Sequence, residues 1–531
     1  MTSKQPESEQ RPPSRQSALS AQREPYVPPG YVLDQVSGRV LDPGTALTVK
    51  NVRPRSTVYV GPRLLVSRSG ETATRIRQLQ EVAESLGWVA TVHSDDESGA
   101  TDERDSQLGV VRLDLTVRDE RATIAPDGWV LLQHARAAYG LEAMTRVGLD
   151  HIVLVRSIDP NPFHHSNPFH HSNPFHHSNP SGDAGSDAVS SYSYSGRGGR
   201  QPMTYAGPRP LRRADNEIRG RRPVVATLDT GCGDHPWLDG IVNRSVGLDG
   251  RPIGYVDDAT DPEKWFDQVG ALDGGIDALA GHGTFIAGLV HQACPDADIV
   301  SWRIVGSDGP VVESDLIAAL ADIAEVARRH RDGKKGGHPV DVLNLSMGYY
   351  HETPQDLLFD PTMYDILRRL GECGVAVVCS AGNDATARPM FPAAFAPWAD
   401  GNGPVRAQNR VVPVLSVGAL NPNGTDALFS NAGPWVRAFA PGAALMSTMP
   451  PFQGGLEPQA RTEAYMRRRE SIDPDDYTGT FALWSGTSFA APLFAGRLAA
   501  QLVGGIRKRD GRKAAVTRAR KALSALTDLS P

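Results

Sequence analysis

Three glycine-flanked segments of this 531-residue chain each offer one reactive side chain. Asp229 closes the apolar run Val224-Val225-Ala226-Thr227-Leu228, and Thr230-Gly231 follow it. His282 sits within Gly281-His282-Gly283-Thr284, and Ser488 within Ser485-Gly486-Thr487-Ser488-Phe489-Ala490-Ala491-Pro492. A serine hydroxyl is a poor nucleophile at neutral pH, so its proton must leave as it attacks. An imidazole can take that proton, and a carboxylate can fix the imidazole tautomer and stabilise the imidazolium. Glycine neighbours let the backbone approach a substrate where a Cβ would clash. Pro492 is tolerated within a first helical turn, where its missing N–H is not needed. Ser488 is therefore expected at a helix start, with backbone N–H groups and the positive dipole end beside a developing oxyanion. Each segment alone is weak. A lone Asp-Thr-Gly also occurs at aspartic-protease sites, where two carboxylates share a proton, but no second Asp-Thr-Gly or Asp-Ser-Gly occurs here.

The order Asp…His…Ser, with these three segments, resembles the subtilisin-like (S8) serine peptidases. Val342-Leu343-Asn344-Leu345-Ser346-Met347-Gly348 is similar to the family's strand that pairs with an extended substrate. Strand addition suits a protease, because main-chain hydrogen bonds hold any sequence while pockets select side chains. Val375-Ala376-Val377-Val378-Cys379-Ser380-Ala381-Gly382-Asn383 resembles the strand and turn that carry the oxyanion-hole asparagine. The resemblance covers about residues 220–503 and includes the turns Phe429–Gly433 and Ala440–Gly442. It implies Asp229, His282 and Ser488 as a catalytic triad and Asn383 as the oxyanion donor. It implies Ser346, Met347, Gly348, Ser380, Ala381 and Gly382 as substrate-binding residues. The activity implied is serine endopeptidase through an acyl-enzyme. The competing reading is a catalytically silent peptide-binding scaffold on the same fold, against which the intact set Asp229, His282, Asn383 and Ser488 argues. No cofactor is expected; calcium is left open with no ligands assigned, because residues 233–280 form a long stretch onto which the calcium sites of some relatives cannot be carried over.

Around the three segments, strand and helix patterns alternate: Val224–Leu228, a helix from His282, Ile299–Val305, a helix Ser314–His330, Val342–Met347, a helix Met363–Leu370, Val375–Ser380 and Val411–Val417. This predicts an α/β fold, a subtilisin-like, mostly parallel sheet flanked by helices over residues 223–503. Asp229, Ser346–Gly348 and Asn383 fall at strand C-terminal ends, where such folds gather functional groups. A smaller block precedes it over residues 56–155. Thr57–Val66, a helix marked by Ile76, Leu79, Val82, Ala83 and Leu86, then Trp88–His93, Val111–Val117, a helix after Pro126 and Ile152–Val155 make β-α-β-β-α-β, a ferredoxin-like α+β order. Subtilase propeptides are similar, so this block is expected to act as an intramolecular inhibitor of the peptide-binding cleft.

Residues 1–55 read as a disordered or irregular tail. Residues 156–222 read as an extended linker in which Asn-Pro-Phe-His-His-Ser repeats three times over Asn161–Ser178. Prolines preclude a regular helix there, and a spacer is preferred to a metal site because nothing fixes the ligand geometry. The linker is also the expected place for a cut that releases the front block. Residues 504–531 read as a basic, solvated helix or tail. Pro450 to about Thr478 is a long insertion, either a lid or a solvated excursion. A net charge of −6 predicts no nucleic-acid binding, and no apolar run is long enough for a membrane span. Four cysteines make neither a disulfide framework nor a zinc spacing. With no signal segment recognisable at the N-terminus, the expected compartment is the cytoplasm.

Overall fold

The computed structural model describes residues 24–49, 54–97, 108–118, 124–155, 189, 191–193, 196–270, 272–307, 309–353, 361–507 and 510–529. The Asn-Pro-Phe-His-His-Ser repeats lie outside the described residues. Two blocks follow one another along the chain, an antiparallel α+β unit and a larger α/β unit built on a parallel sheet.

The front unit contains β2 (Thr57–Ser67), α2 (Thr72–Ser85), β3 (Trp88–Val92), β4 (Val110–Val117), α3 (Gly128–Tyr139) and β5 (Val147–Leu154). Its strands run in the spatial order β5-β2-β4-β3, every pair antiparallel. Alternation decides the faces: Val111, Leu113 and Leu115 of β4 are buried, whereas Arg112 and Asp114 are only partly covered. Leu113 and Leu115 meet Leu79, Val82 and Ala83 of α2 and Leu131, Leu132 and Ala135 of α3 in one core. Asp127 caps α3 by accepting the N–H of Val130, which satisfies a donor the helix cannot pair internally.

Part of the segment 1–55, expected to be disordered or irregular, forms regular structure. Gly30–Gln35 forms α1, and Gly38–Leu41 forms β1, which pairs antiparallel with the start of β2. The physical reason is local: Val32, Leu33 and Leu41 are buried, enough apolar surface to hold a short segment on an open sheet edge.

In the larger unit, β6 (Val224–Asp229) leads to α4 (His282–Ala293), β7 (Asp298–Arg303), β8 (Pro310–Val312), α5 (Glu313–Arg331), β9 (Val342–Leu345), α6 (Thr362–Glu372), β10 (Ala376–Ser380), β11 (Leu415–Leu420) and β12 (Ala438–Pro441). The sheet order is β12-β11-β10-β9-β6-β7, with the short pair Val242–Asn243 at the β7 edge, and all pairs are parallel. Every residue of β6 is buried, as expected for a central strand covered on both faces. α5 shows how the helices were readable. Leu316, Leu320, Ile323 and Ala327 lie along its buried face, with Glu313 and Asp315 in its first turn and Arg328 to Arg331 in its last. That charge distribution opposes the helix dipole at both ends. Two apolar clusters cover the two faces of the sheet, where each fully buried aliphatic side chain contributes about 1.5–3 kcal/mol.

Toward the C-terminus come β13 (Leu445–Thr448), the hairpin β14 (Arg461–Ala464) and β15 (Arg467–Glu470), β16 (Phe481–Trp484), α7 (Thr487–Leu502) and α8 (Arg512–Ser524). The hairpin belongs to the 450–478 insertion and is largely exposed, but Phe452 and Tyr477 at its base are buried. Two expectations change here. Gln201–Met203, within the expected linker, forms a strand on β16, because Arg200 donates to the carbonyls of Ile276, Asp277 and Ala280 and anchors that stretch. The basic C-terminal helix is not simply solvated. Ala515, Val516, Ala519, Ala522 and Leu523 of α8 are buried together with Arg520, which donates to the carbonyls of Gln408 and Val411, and Arg512 pairs with Asp332.

One buried ionic knot ties the sheet together. Asp341, just ahead of β9, accepts from Arg221 at 2.5 and 2.8 Å, from Arg331 of α5 at 3.0 Å and from the N–H of Val224 at 3.0 Å. Burial alone would raise its pKa, but the guanidiniums and the N–H outweigh burial and hold it below the ordinary carboxylate range. Its stabilisation is present above the unfolded pKa of about 3.9 and is lost only as pH falls through the lower folded value. Asp341→Ala, which strands Arg331 in the interior, is expected to cost about 3–5 kcal/mol, measurable by denaturant unfolding; a loss below 1 kcal/mol would contradict this account.

Candidate active site

Asp229 ends β6 and His282 begins α4, so a parallel-sheet strand end and a helix start bring the carboxylate to the imidazole. Nδ1 of His282 lies 2.6 Å from Oδ1 of Asp229, and both side chains are fully buried. The same oxygen accepts the N–H of Thr230 at 2.8 Å. This closeness requires glycine at 283, since a Cβ there would lie 2.0 Å from the carbonyl oxygen of Gly231. The imidazole packs against Phe489 and Trp484, with ring centroids at 5.1 and 5.7 Å, so its far side is screened from water.

Ser488 is in the first turn of α7, as its sequence context predicted. The Ser488 hydroxyl donates to the carbonyl of Ser346 at 3.3 Å, and the Ser346 hydroxyl donates to the carbonyl of Ser488 at 2.8 Å. Nε2 of His282 makes no hydrogen bond among the described residues. The Asp–His contact is therefore made, while the Ser488 hydroxyl is turned to the carbonyl of Ser346.

Asn383 follows β10. Its Oδ1 accepts both the N–H and the hydroxyl of Thr487 at 2.8 Å. The acceptor end of the amide is thus held by Thr487 at the start of α7. Asn431 fixes the turn around it, accepting from the N–H groups of Asp384 and Thr386 and donating to the carbonyl of Ala381. Ser346, Met347, Gly348, Ser380, Gly382, Asn383 and Ser488 line one cleft. Ala381 does not. Successive residues of an extended strand point to opposite sides, and its side chain is buried in the core.

The front unit contributes Ile152 and Leu154 to the lining of this cleft. Leu154 at the end of β5 donates to the carbonyl of Gly348 at 2.8 Å and accepts its N–H at 3.0 Å. On its other side β5 pairs antiparallel with β8, Val153 opposite Val311. Cys232, near the Asp229 turn, is buried, and burial pushes its thiol up to about 12, so it carries no thiolate chemistry at neutral pH.

Sequence reasoning missed three supporting groups. Thr230 and Thr284 sat inside motifs without an assigned role, and Glu263 sat in the unmatched 233–280 stretch. All three side chains are buried beneath the Asp229–His282 contact. The threonines were visible in the motifs themselves; nothing around Glu263 announced it.

The sequence profile of the subtilase family, peptidase family S8, matches residues 220–527. An intracellular serine protease of Paenibacillus polymyxa is 27% identical over 299 residues, covering 54% of this chain and 68% of the relative. An extracellular protease of Xanthomonas campestris is 26% identical over 316 residues, covering 54% and 45%. The major intracellular serine protease of Bacillus subtilis is 25% identical over 248 residues, covering 44% and 62%. The chain thus spans roughly half to two thirds of the length of these relatives. The family match also extends past the expected boundary at 503 to include α8.

With Asn383 as an oxyanion donor, Asn383→Ala is expected to lower kcat about 10²–10³-fold with KM nearly unchanged, read from steady-state hydrolysis of a peptide ester. A loss confined to KM would remove Asn383 from that role.

Proposed function

The chain belongs to the subtilase family, and on that basis we propose that it is a serine endopeptidase whose cleft is restrained by its own front unit. In this reading Ser488 attacks the scissile carbonyl and His282 accepts the hydroxyl proton through Nε2. Asp229 stays ionised, fixing the tautomer and stabilising the imidazolium. Nδ2 of Asn383 and the N–H of Ser488 receive the oxyanion. His282 then protonates the leaving amine, and water repeats the sequence on the acyl-enzyme.

The observation that carries this reading is the pair of backbone hydrogen bonds between Leu154 and Gly348. An extended chain lies on the wall beside Ser488 as a substrate strand would, held by the main chain and not by its own sequence. The four cysteines are free and buried, which suits a reducing compartment. Two of the relatives are named as intracellular, and a cytoplasmic site of action is part of the proposal. No helix among the described residues is long and apolar enough to cross a membrane.

A fluorophosphonate probe tests the chemistry: labelling of the wild type that Ser488→Ala abolishes is expected. No labelling, even after the front unit is removed from folded protein, would favour the silent scaffold. By mass spectrometry the wild type should also cut itself beyond Val155, within residues 156–222, and the Ser488→Ala variant should not.

The contact between front unit and cleft has an ionic centre. His151 of β5 lies between two carboxylates of the larger unit, with Nδ1 at 2.5 Å from Glu313 and Nε2 at 2.8 Å from Glu352. Tyr349 donates to Glu313, and His351, Arg136 and Arg388 complete the charged and titratable surroundings. Asp150 holds the start of α5 through Ser314. Burial lowers the pKa of His151, but the carboxylates of Glu313 and Glu352 prevail and raise it to about 10. His351, which burial drives down to about 3, stays neutral. The attachment is therefore at full strength below about pH 6.5, the ordinary histidine value, and weakens as pH rises through about 10. Chains cut in the linker should release the front unit more readily at pH 10 than at pH 7 on gel filtration, and His151→Ala should erase most of that difference. Equal retention of the wild-type unit at both values would contradict the reading.

A further inference from the structure

Glu263 is a buried carboxylate on the loop between β6 and α4, with 3% of its surface exposed. Its Oε1 accepts the hydroxyl of Thr230 at 2.6 Å and the N–H of Gly283 at 2.9 Å, and its Oε2 accepts the hydroxyl of Thr284. Thr230 follows Asp229 directly, and Gly283 and Thr284 follow His282. One carboxylate therefore clamps the strand end that carries the acid to the first turn of the helix that carries the base. The clamp is extended by Thr230, whose hydroxyl accepts the Gly283 N–H at 2.7 Å, and by Thr284, whose hydroxyl accepts the Gly233 N–H at 2.7 Å.

Placing a carboxylate in an apolar interior is costly unless its oxygens are satisfied. A helix N-terminus without an internal partner for Gly283 needs an acceptor, but a hydroxyl or backbone oxygen would serve at lower cost. A charge at this spot is chemically apt for a different reason. It lies one residue from an imidazole that must become a cation during turnover, and negative charge nearby favours that cation. We infer that Glu263 is a positioning residue for the Asp229–His282 pair, holding their separation and adding a second negative charge that favours the His282 imidazolium.

The inference rests on the triad reading of Asp229, His282 and Ser488. The ionisable groups around Glu263 are Asp261 on its own loop, Cys232 across the turn, and Arg303, whose side chain packs with that of Glu263 around Gly231; Asp229 and His282 are the chain neighbours of Thr230 and Gly283, which it binds. Burial raises the pKa of Glu263 above the ordinary carboxylate range, against the pull of its hydrogen-bond donors. On acidification the clamp thus loses its charge earlier than an exposed glutamate would.

Two substitutions separate geometry from charge. In Glu263→Gln the amide oxygen can still accept from Thr230 and Gly283, while its NH₂ donates to a turned Thr284 hydroxyl; only the charge is lost. In Glu263→Ala both are lost. Rates per active site, counted by fluorophosphonate titration after the folded full chain has been cut in the linker and has released its front unit, remove the contribution of misfolded protein. Glu263→Ala is expected to lower kcat by about 10²-fold, the scale of a misplaced catalytic group, with little change in KM. Glu263→Gln should keep most of kcat but move the acid limb of the kcat/KM profile to lower pH. NMR titration of isotope-labelled His282 should show the same downward shift without depending on turnover. An unchanged His282 titration in Glu263→Gln, together with wild-type kcat per active site in Glu263→Ala, would overturn the inference. A wild type that the probe does not label even after release of the front unit would instead sink the triad reading, and the NMR titration still judges Glu263.

Discussion

The 2.6 Å contact between Asp229 and His282 is the constraint on which the rest of the structure depends. It pairs one nitrogen of a fully buried imidazole with a carboxylate oxygen that also accepts the Thr230 N–H, which lowers the cost of burying both groups. They can meet only if a central parallel strand ends where a helix begins. The close approach of Gly283 to the Gly231 carbonyl and the clamp around Glu263 serve that same meeting. α7, which brings Ser488, must then lie against α4. Gly496 permits it, since a Cβ there would fall 2.5 Å from that of Ala293.

A second constraint is the sharing of strands between the two units. β5 belongs to the antiparallel sheet of the front unit, yet it pairs with β8 and meets Gly348 of the larger unit. A strand in that place satisfies the backbone groups of an open wall. The buried His151, flanked by Glu313 and Glu352, gives that contact a charge-dependent strength, whereas the backbone ladder depends little on pH. The same interface thus combines a sequence-tolerant grip with an ionisable one.

How much was legible in the sequence varies with the range of the interaction involved. The helix over 313–331 and the strand over 110–117 were readable to within a residue or two, because periods of 3.6 and 2 are local signals. β11 begins at Leu415, where the apolar run had suggested Val411, because Pro413 cannot donate to a ladder. Ala381 was grouped with cleft residues by its neighbours, although alternation along β10 turns it inward. The strand Gln201–Met203 was hidden in a Gly- and Pro-rich stretch, because its partner β16 lies far along the chain. α8 read as solvated because its arginines and lysines dominate the composition, while its small alanine face does the packing.

What the sequence by itself determined is the set of reactive side chains, their order, the flanking glycines that let backbones approach, and the alternating pattern that yields a parallel sheet with functional groups at strand ends. These follow from residue type and short spacing alone. Only the tertiary structure decided that Asp229 and His282 touch, that Glu263 lies beneath both, that β5 occupies the wall at Gly348, and that His151 is enclosed by two acids. Those contacts join residues from about twenty to some two hundred positions apart. No local periodicity encodes such pairings; they arise when packed layers exclude water and leave each buried charge or backbone group a single available partner.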